Sequence, residues 1–277
     1  MELYRENIFS LFKIDASSNM TELDLDSKNL YTLRGIEFPN NLDSLNVSNN
    51  FLTSLEGVVF PNSLSHLECE GNQIEHFYNV QFPENLICLN ASNNRIYSLL
   101  GINAPNLIEL DLEKNRLFDL SNVEFPPELE YLNVANNQLS TLQDASFPAC
   151  LKHLNVSHNH ISSLAEVRLP YGITHFDCFN NRLLNMDRFV FPSSLRHFNC
   201  SYNYLTSFNS MFLPKNIRYV NCSYNYISNL NRFMLKYRIP SSLDEFIFEP
   251  QYKKGDEKDY DRSKSPLKHV FSFALRP

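Results

Sequence analysis

Apolar residues return along most of this chain in one fixed frame. Taking the first residue of each unit as position 1, apolar side chains stand at positions 1, 4, 6 and 11, and an asparagine at 9. Leu42, Leu45, Val47 and Leu52 with Asn50 show the frame, as do Leu129, Leu132, Val134 and Leu139 with Asn137. The asparagines are Asn50, Asn72, Asn94, Asn115, Asn137, Asn159, Asn181, Asn203 and Asn225, spaced by 22 residues with one step of 21 between Asn94 and Asn115. Position 14 is again apolar (Leu55, Phe77, Leu99), and each unit closes on a pair such as Phe60-Pro61 or Phe147-Pro148. Positions 4 and 6 alternate with polar 3, 5 and 7, which is strand periodicity with one face buried. About eight residues separate position 11 from the closing pair, room for a 3₁₀ turn or an extended arc but not a full helix. The proline fixes its own φ and biases its predecessor toward extended geometry just before the next strand.

A polar residue repeated at this interval predicts a chain wound into identical coils. Ten units begin at Met20, Leu42, Leu64, Leu86, Leu107, Leu129, Leu151, Ile173, Leu195 and Ile217, the first with Lys28 in place of asparagine. A partial eleventh, Leu243, Phe246 and Phe248, follows a longer step and is read as lacking the asparagine too. The frame is the L-x-x-L-x-L-x-x-N-x-L signature, so over roughly residues 20 to 250 the chain resembles a leucine-rich repeat protein. That resemblance implies an α/β-type leucine-rich repeat solenoid, with a curved parallel β-sheet on its concave face and 3₁₀ or extended segments on its convex face. The asparagine amides would bond backbone groups of their own and the neighbouring coil as a structural ladder.

Four segments follow: an N-terminal helical cap over 1–19, ten repeats over 20–239, a cap strand over 240–250, and a charged linker with an apolar tail over 251–277. Tyr4 to Ile14 is read as an amphipathic helix covering the first coil, or as a partner-binding helix. Arg232 to Arg238 has room for a helical turn. The tail is an edge strand or cap, or a docking peptide.

Composition narrows the function. The apolar fraction of 43% suffices for a continuous core, and the net charge of −7 disfavours nucleic acid, which needs a basic footprint. The first 18 residues are too charged for a signal peptide, and no run approaches membrane-spanning length. Of six cysteines, Cys69, Cys178, Cys200 and Cys222 fall at core position 6, where they act as small hydrophobes, and the chain lacks close-spaced metal pairs. Five of six N-x-S/T sequons lie at strand position 5, where glycans would crowd the concave face. These features favour a cytoplasmic or nuclear location, or delivery into a host cytosol.

The concave face is built by positions 2, 3, 5, 7 and 8, and ten strands make it roughly 45 Å long, enough for a protein interface. Its first six coils are acidic: Glu22, Asp24, Asp26, Asp43, Glu68, Glu70, Glu109, Asp111, Glu113 and Glu130. Its last four are basic and aromatic: Lys152, His153, His158, His175, Phe179, Arg196, His197, Tyr202, Arg218, Tyr219 and Tyr224, with Tyr204 and Tyr226 flanking at position 10. Aromatic and arginine side chains dominate interface hot spots. A partner is therefore expected on the C-terminal half, with a basic segment steered by the acidic half, although tyrosine and histidine also suit exposed strands. Position 5 is Asn or Asp in nine of ten coils, read as an inter-strand amide ladder or as a polar recognition track. His153, His175 and His197 share position 3. Parallel side chains on a flat sheet do not converge on a metal, which leaves ordinary surface or a pH-sensitive patch. His175, Asp177 and Ser201 are hydrolase residue types without an indicated pocket.

The expected function is a non-catalytic intracellular protein-interaction scaffold without cofactor, metal or membrane insertion. The unit is similar to the short repeats of phosphatase-1 regulatory subunits, which Leu52-Thr53-Ser54-Leu55-Glu56-Gly57-Val58 approaches. The alternative is the substrate-recognition part of a pathogen effector in a ubiquitin-ligase-like system. Phe147-Pro148-Ala149-Cys150-Leu151-Lys152-His153-Leu154 resembles the L-P-x-x-L repeat of such proteins.

Overall fold

The computed structural model describes residues 19–207, 212–228 and 240–252. The helices expected at Tyr4–Ile14 and Arg232–Arg238, and the tail from 253 onward, lie outside the described residues. Eleven three-residue strands follow one another: β1 (Glu22–Asp24), β2 (Ser44–Asn46), β3 (His66–Glu68), β4 (Cys88–Asn90), β5 (Glu109–Asp111), β6 (Tyr131–Asn133), β7 (His153–Asn155), β8 (His175–Asp177), β9 (His197–Asn199), β10 (Tyr219–Asn221) and β11 (Glu245–Ile247). They pair in parallel, in sequence order, as one sheet, with position 3 facing position 3 throughout. This is the leucine-rich repeat solenoid that the periodicity predicts.

Each strand is short because only position 4 points inward between two outward residues. Leu45, Leu89, Leu154 and Phe176 are at most 1% exposed. Position 6 follows into the same core, with Val47, Cys178, Cys200 and Cys222 fully buried. Three of the buried thiols donate to the next coil, Cys178 Sγ to the Asn199 carbonyl at 3.2 Å among them. Burial raises all of these thiols well above their ordinary range, so they pack as inert small side chains. The closing phenylalanines stack along the return side: Phe38 on Phe60 at 6.3 Å, Phe60 on Phe82 at 6.4 Å.

The asparagine at position 9 binds each coil to the one before it. Asn159 Nδ2 donates to the carbonyls of Val156 and Ser157 in its own coil and of Val134 in the previous one, at 2.9–3.1 Å. Its Oδ1 accepts the Leu139 N–H of that previous coil at 2.9 Å. The arrangement recurs from Asn50 (Leu25, Val47, Ser48 and Leu30) to Asn225 (Cys200, Cys222, Ser223 and Leu205). All nine side chains are at most 8% exposed, so four backbone groups per coil are satisfied where water does not reach.

Coil eleven corrects the sequence reading. Gln251, assigned above to a charged linker, stands at position 9 of the unit that begins at Leu243. Its Nε2 donates to the carbonyls of Cys222 and Phe248, and its Oε1 accepts from Ile227 N–H at 3.1 Å. The longer side chain thus reaches three of the four backbone groups that an asparagine bonds in the other coils.

Among the described residues the return paths are extended chain punctuated by i→i+3 turns, two in most coils, each a single closed turn of the 3₁₀ type. In one, the proline carbonyl accepts from the next position 1, as Pro61 does from Leu64 N–H at 3.1 Å. In the other, position 14 accepts from position 17 (Leu55 from Val58), and position 16 has positive φ. Gly57 and Gly101 fill that site without strain, while Glu166 and Arg188 occupy it at φ 65° and 59°. A hydroxyl, amide or carboxylate at position 13 caps the turn, as Ser54 Oγ does for Glu56 N–H at 2.9 Å.

Position 5 makes a second row of caps. Asn155 Oδ1 accepts Ser157 N–H at 3.0 Å, and Asn133 Nδ2 donates to Asp111 at 3.2 Å. Asp111 is 8% exposed rather than part of an open acidic face. Burial raises its carboxyl from 3.8 to about 6, against the lowering effect of the Glu113 N–H and the Asn133 amide.

Two stability predictions follow from these rows. Asn159→Ala strands buried groups on two coils and should cost about 3–4 kcal/mol, read in urea denaturation, with faster hydrogen exchange at Leu139 N–H. For Asp111, a folded value above the free one means that its stabilising contribution is complete below about pH 4 and is lost as pH rises through about 6. Asp111→Asn keeps the acceptor for Glu113 N–H, so it should exceed wild type by up to about 3 kcal/mol at pH 8. The two proteins should converge at pH 4.

Candidate partner-binding surface

Position 3 places one side chain per coil on the concave face, and from β6 to β10 every one of them is an aromatic ring. Tyr131 stacks on His153 at 4.4 Å, His153 on His175 at 4.2 Å, His175 on His197 at 5.4 Å, and His197 on Tyr219 at 4.2 Å, with interplanar angles of 6–22°. The cause is the register: parallel pairing sets successive position-3 residues one strand spacing apart, close to ring-stacking distance. All five rings are half-buried, each covered by its neighbours.

Burial holds the imidazoles below their ordinary range. His153 is pushed down to about 4 by desolvation, then by His175. His197 falls to about 4 by burial, then by His175 and His153. His175 is lowered by burial, then by the Arg196 guanidinium. The column is therefore neutral at pH 7. The same burial raises the Tyr219 phenol.

The position-2 row beside the column is basic. Lys152 is paired with Glu130 at 2.5 Å and Arg218 with Asp244 at 3.1 Å, whereas Arg196 between them makes no ion pair among the described residues. On the other side run Asn155, Asp177, Asn199 and Asn221, whose side chains cap the strand ends. In coils two to six the corresponding edge is acidic. There Asp43, Glu84, Glu128 and Glu130, with Ile87 and Ile108, line an open recess of about 550 Å³.

Several candidate residues sit elsewhere than an open face would have them. Phe179 and Tyr202 are only 5% and 4% exposed. They belong to a stack along the lip where the strands end: His158 against Phe179 at 4.9 Å, Phe179 against Tyr202 at 5.0 Å, Tyr202 on Tyr224 at 4.1 Å. Tyr202 and Tyr224 hold position 8, a left-handed site with φ 56° and 52° where other coils place Asn49, Asn93 or Gly71. Such backbone costs a tyrosine about 1 kcal/mol or more, offset here by stacking, so these two rings pack the lip. Tyr204 and Tyr226 are half-exposed, parallel at 6.0 Å, and Tyr252 closes on Tyr226 at 5.3 Å. The structure thus separates a concave column (Lys152, His153, His175, Arg196, His197, Arg218, Tyr219) from a tyrosine lip (Phe179, Tyr202, Tyr204, Tyr224, Tyr226). Sequence reasoning merged the two and missed Tyr131, which opens the column from position 3 of coil six.

His175, Asp177 and Ser201 do not assemble for hydrolysis. Ser201 is fully buried and its Oγ donates to Asn199 Oδ1 at 2.7 Å, while Asp177 accepts from Phe179 N–H. Among the described residues there is no group of three or more His, Cys, Asp or Glu arranged to hold a metal ion. No described helix is long and apolar enough to cross a membrane.

A family model described as leucine rich repeat matches residues 105–161. No curated protein matches the chain in sequence. Among solved structures, the YopM protein of Yersinia enterocolitica is 27% identical, with a TM-score of 0.62 over 83% of this chain and 49% of its own. This chain therefore spans about half the length of that one. An internalin (InlF) of Listeria monocytogenes is similar in fold at 18% identity and a TM-score of 0.63, over 90% of this chain and 82% of its own. YopM of Yersinia pestis, described as a leucine-rich effector protein, matches at 20% identity and a TM-score of 0.51, over 89% of this chain and 93% of its own. The matches reach the repeat fold as such and not the phosphatase-regulatory subtype. With eleven coils in one register, the matched repeat model and these likenesses, the chain is a leucine-rich repeat protein.

Proposed function

We propose that this protein is a non-catalytic interaction scaffold that binds a protein partner on the concave face of coils six to ten. The observation that carries this reading is the five-ring column from Tyr131 to Tyr219, flanked by Arg196. Its rings are preorganised by stacking, so a partner desolvates a large aromatic area without freezing side chains. The acidic edge of coils two to six supports long-range steering of a basic stretch of the same partner.

An intracellular site of action is part of the proposal. Asn155, Asn199 and Asn221 head N-x-S sequons, yet they are 3–6% exposed and cap the N–H of the sequon serine. A glycan on any of them would displace a cap that the strand end needs, which favours folding where these amides stay unmodified. The second reading, substrate recognition by an effector, is favoured by the 27% identity to YopM of Yersinia enterocolitica. Both readings use the same face.

The test compares proteins retained from lysate by wild type, by a concave variant (His175→Ala, Arg196→Ala, Tyr219→Ala) and by a return-path control (Val190→Ser, at a residue 78% exposed). Quantitative mass spectrometry should show at least one protein held by wild type and control and reduced about tenfold by the concave variant, a loss of about 1.4 kcal/mol. Identical retention by all three would remove the concave site.

A further inference from the structure

His175 carries a detail that specifies the partner's chemistry. Thr174 Oγ1 donates its single hydrogen to the Lys152 carbonyl at 3.1 Å and lies 2.9 Å from His175 Nδ1. With its hydrogen on that carbonyl the hydroxyl accepts from the ring, the arrangement in which Nδ1 carries the proton of the neutral imidazole. His175 Nε2 is then a bare lone pair. It makes no hydrogen bond to another described residue. In its neutral form the centre of the column repels an anionic oxygen. With a second proton, Nε2–H becomes a donor beside the Arg196 guanidinium, which is the exposed cation of that edge without an ion pair among the described residues.

We propose that the partner presents an acidic segment to coils seven to ten, and that seating its carboxylates between Arg196 and His175 draws protons onto the histidine column. The proposal rests on the concave face being the binding site and adds the charge and protonation state of what binds there. Charge complementarity selects this occupant. Lys152 and Arg218 already hold Glu130 and Asp244, and those pairs show the same edge accepting carboxylates. Glu130 and Glu109, in the adjoining coils six and five, repel such a segment and confine it to the C-terminal half.

The groups facing the imidazoles come from every neighbouring strand. The phenol rings of Tyr131 and Tyr219 close the two ends of the column. Glu245 on β11 and Glu109 on β5 lie one strand beyond them at position 3. Asp177, on the His175 strand, spends its two oxygens on Phe179 N–H and the Asn199 amide. Lys152 and Arg196 oppose protonation in the free protein, and an incoming carboxylate reverses that balance by neutralising Arg196. Protonation of one imidazole disfavours the same event in a ring stacked 4.2 Å away, so uptake per bound segment is small.

The test uses the full chain, isotopically labelled, with two probes of equal length: an alternating Asp-Gly peptide and an alternating Lys-Gly peptide. Ring nitrogen shifts of the free protein at pH 7.5 should report the Nδ1–H tautomer at His175. With the Asp-Gly peptide, the His175 titration midpoint should rise by about 0.5 in pH. Affinity should tighten as pH falls from 7.5 to 5, by at most about threefold. Arg196→Glu should abolish both effects while leaving the amide spectrum of coils two to six unchanged, which certifies the fold. His175→Gln should keep residual binding and lose its pH dependence. Binding of the Asp-Gly peptide to coils seven to ten with an unmoved midpoint would overturn the proton coupling and leave the concave site standing. Preference of those coils for the Lys-Gly peptide, or Asp-Gly binding confined to other surfaces, would overturn the acidic partner. Failure of the concave site itself is read separately, from identical lysate retention by the alanine variant.

Discussion

A buried primary amide holds this fold together. Every coil turns its backbone inward at the strand end, and the carbonyls and N–H groups exposed there point into a core that excludes water. Left unpaired, each would cost about 1–3 kcal/mol. Each of the nine asparagines pairs four of them, two of which belong to the coil before, as Asn137 shows. The amide is therefore both a local cap and the bond between neighbours. Leucine burial supplies most of the stabilisation, but the amide fixes the register, and the register fixes where every other side chain points. The ring column follows from it: position 3 faces position 3 for eleven strands, so aromatic residues placed there have to stack.

Much of this was legible in the sequence because a repeat samples the same physics many times. One coil with apolar residues at positions 1, 4, 6 and 11 is ambiguous, and nine in register are not. The core positions, the inward cysteines and the non-helical return all follow from that spacing. Gln251 was less legible for a chemical reason: the motif is written as asparagine, but the requirement is an amide in reach of these backbone groups, and glutamine reaches three of the four. The caps at position 13 were equally hidden. Ser54, Asp119 and Thr141 share little beyond an oxygen that can accept one N–H.

The candidate surface was legible in composition and not in arrangement. Aromatic and basic residues do gather in the last coils, but positions 3, 7 and 8 have different fates that no tally separates. Position 3 leaves the sheet with room for a ring beside its neighbour. Positions 7 and 8 lie where the chain bends into a left-handed residue, so Phe179 and Tyr202 are folded against the lip and covered. Asp111 shows the same effect among the acids, since position 5 turns its carboxylate toward backbone N–H groups and away from a partner.

The one shortened coil shows what this architecture permits. The unit from Leu86 to Asn106 lacks a residue between its proline and the next strand, and the closing turn starts one residue earlier, with the Ala104 carbonyl in place of the proline's accepting from Leu107 N–H. Asn106 still reaches back to the Glu84 carbonyl, and Asn115 still receives Ile96 N–H. The indel is absorbed on the outside of the bend without moving the wall. Lineages carrying this scaffold can accordingly gain, lose or trim whole turns by unequal recombination, changing the reach of the grip while each surviving tread keeps its place.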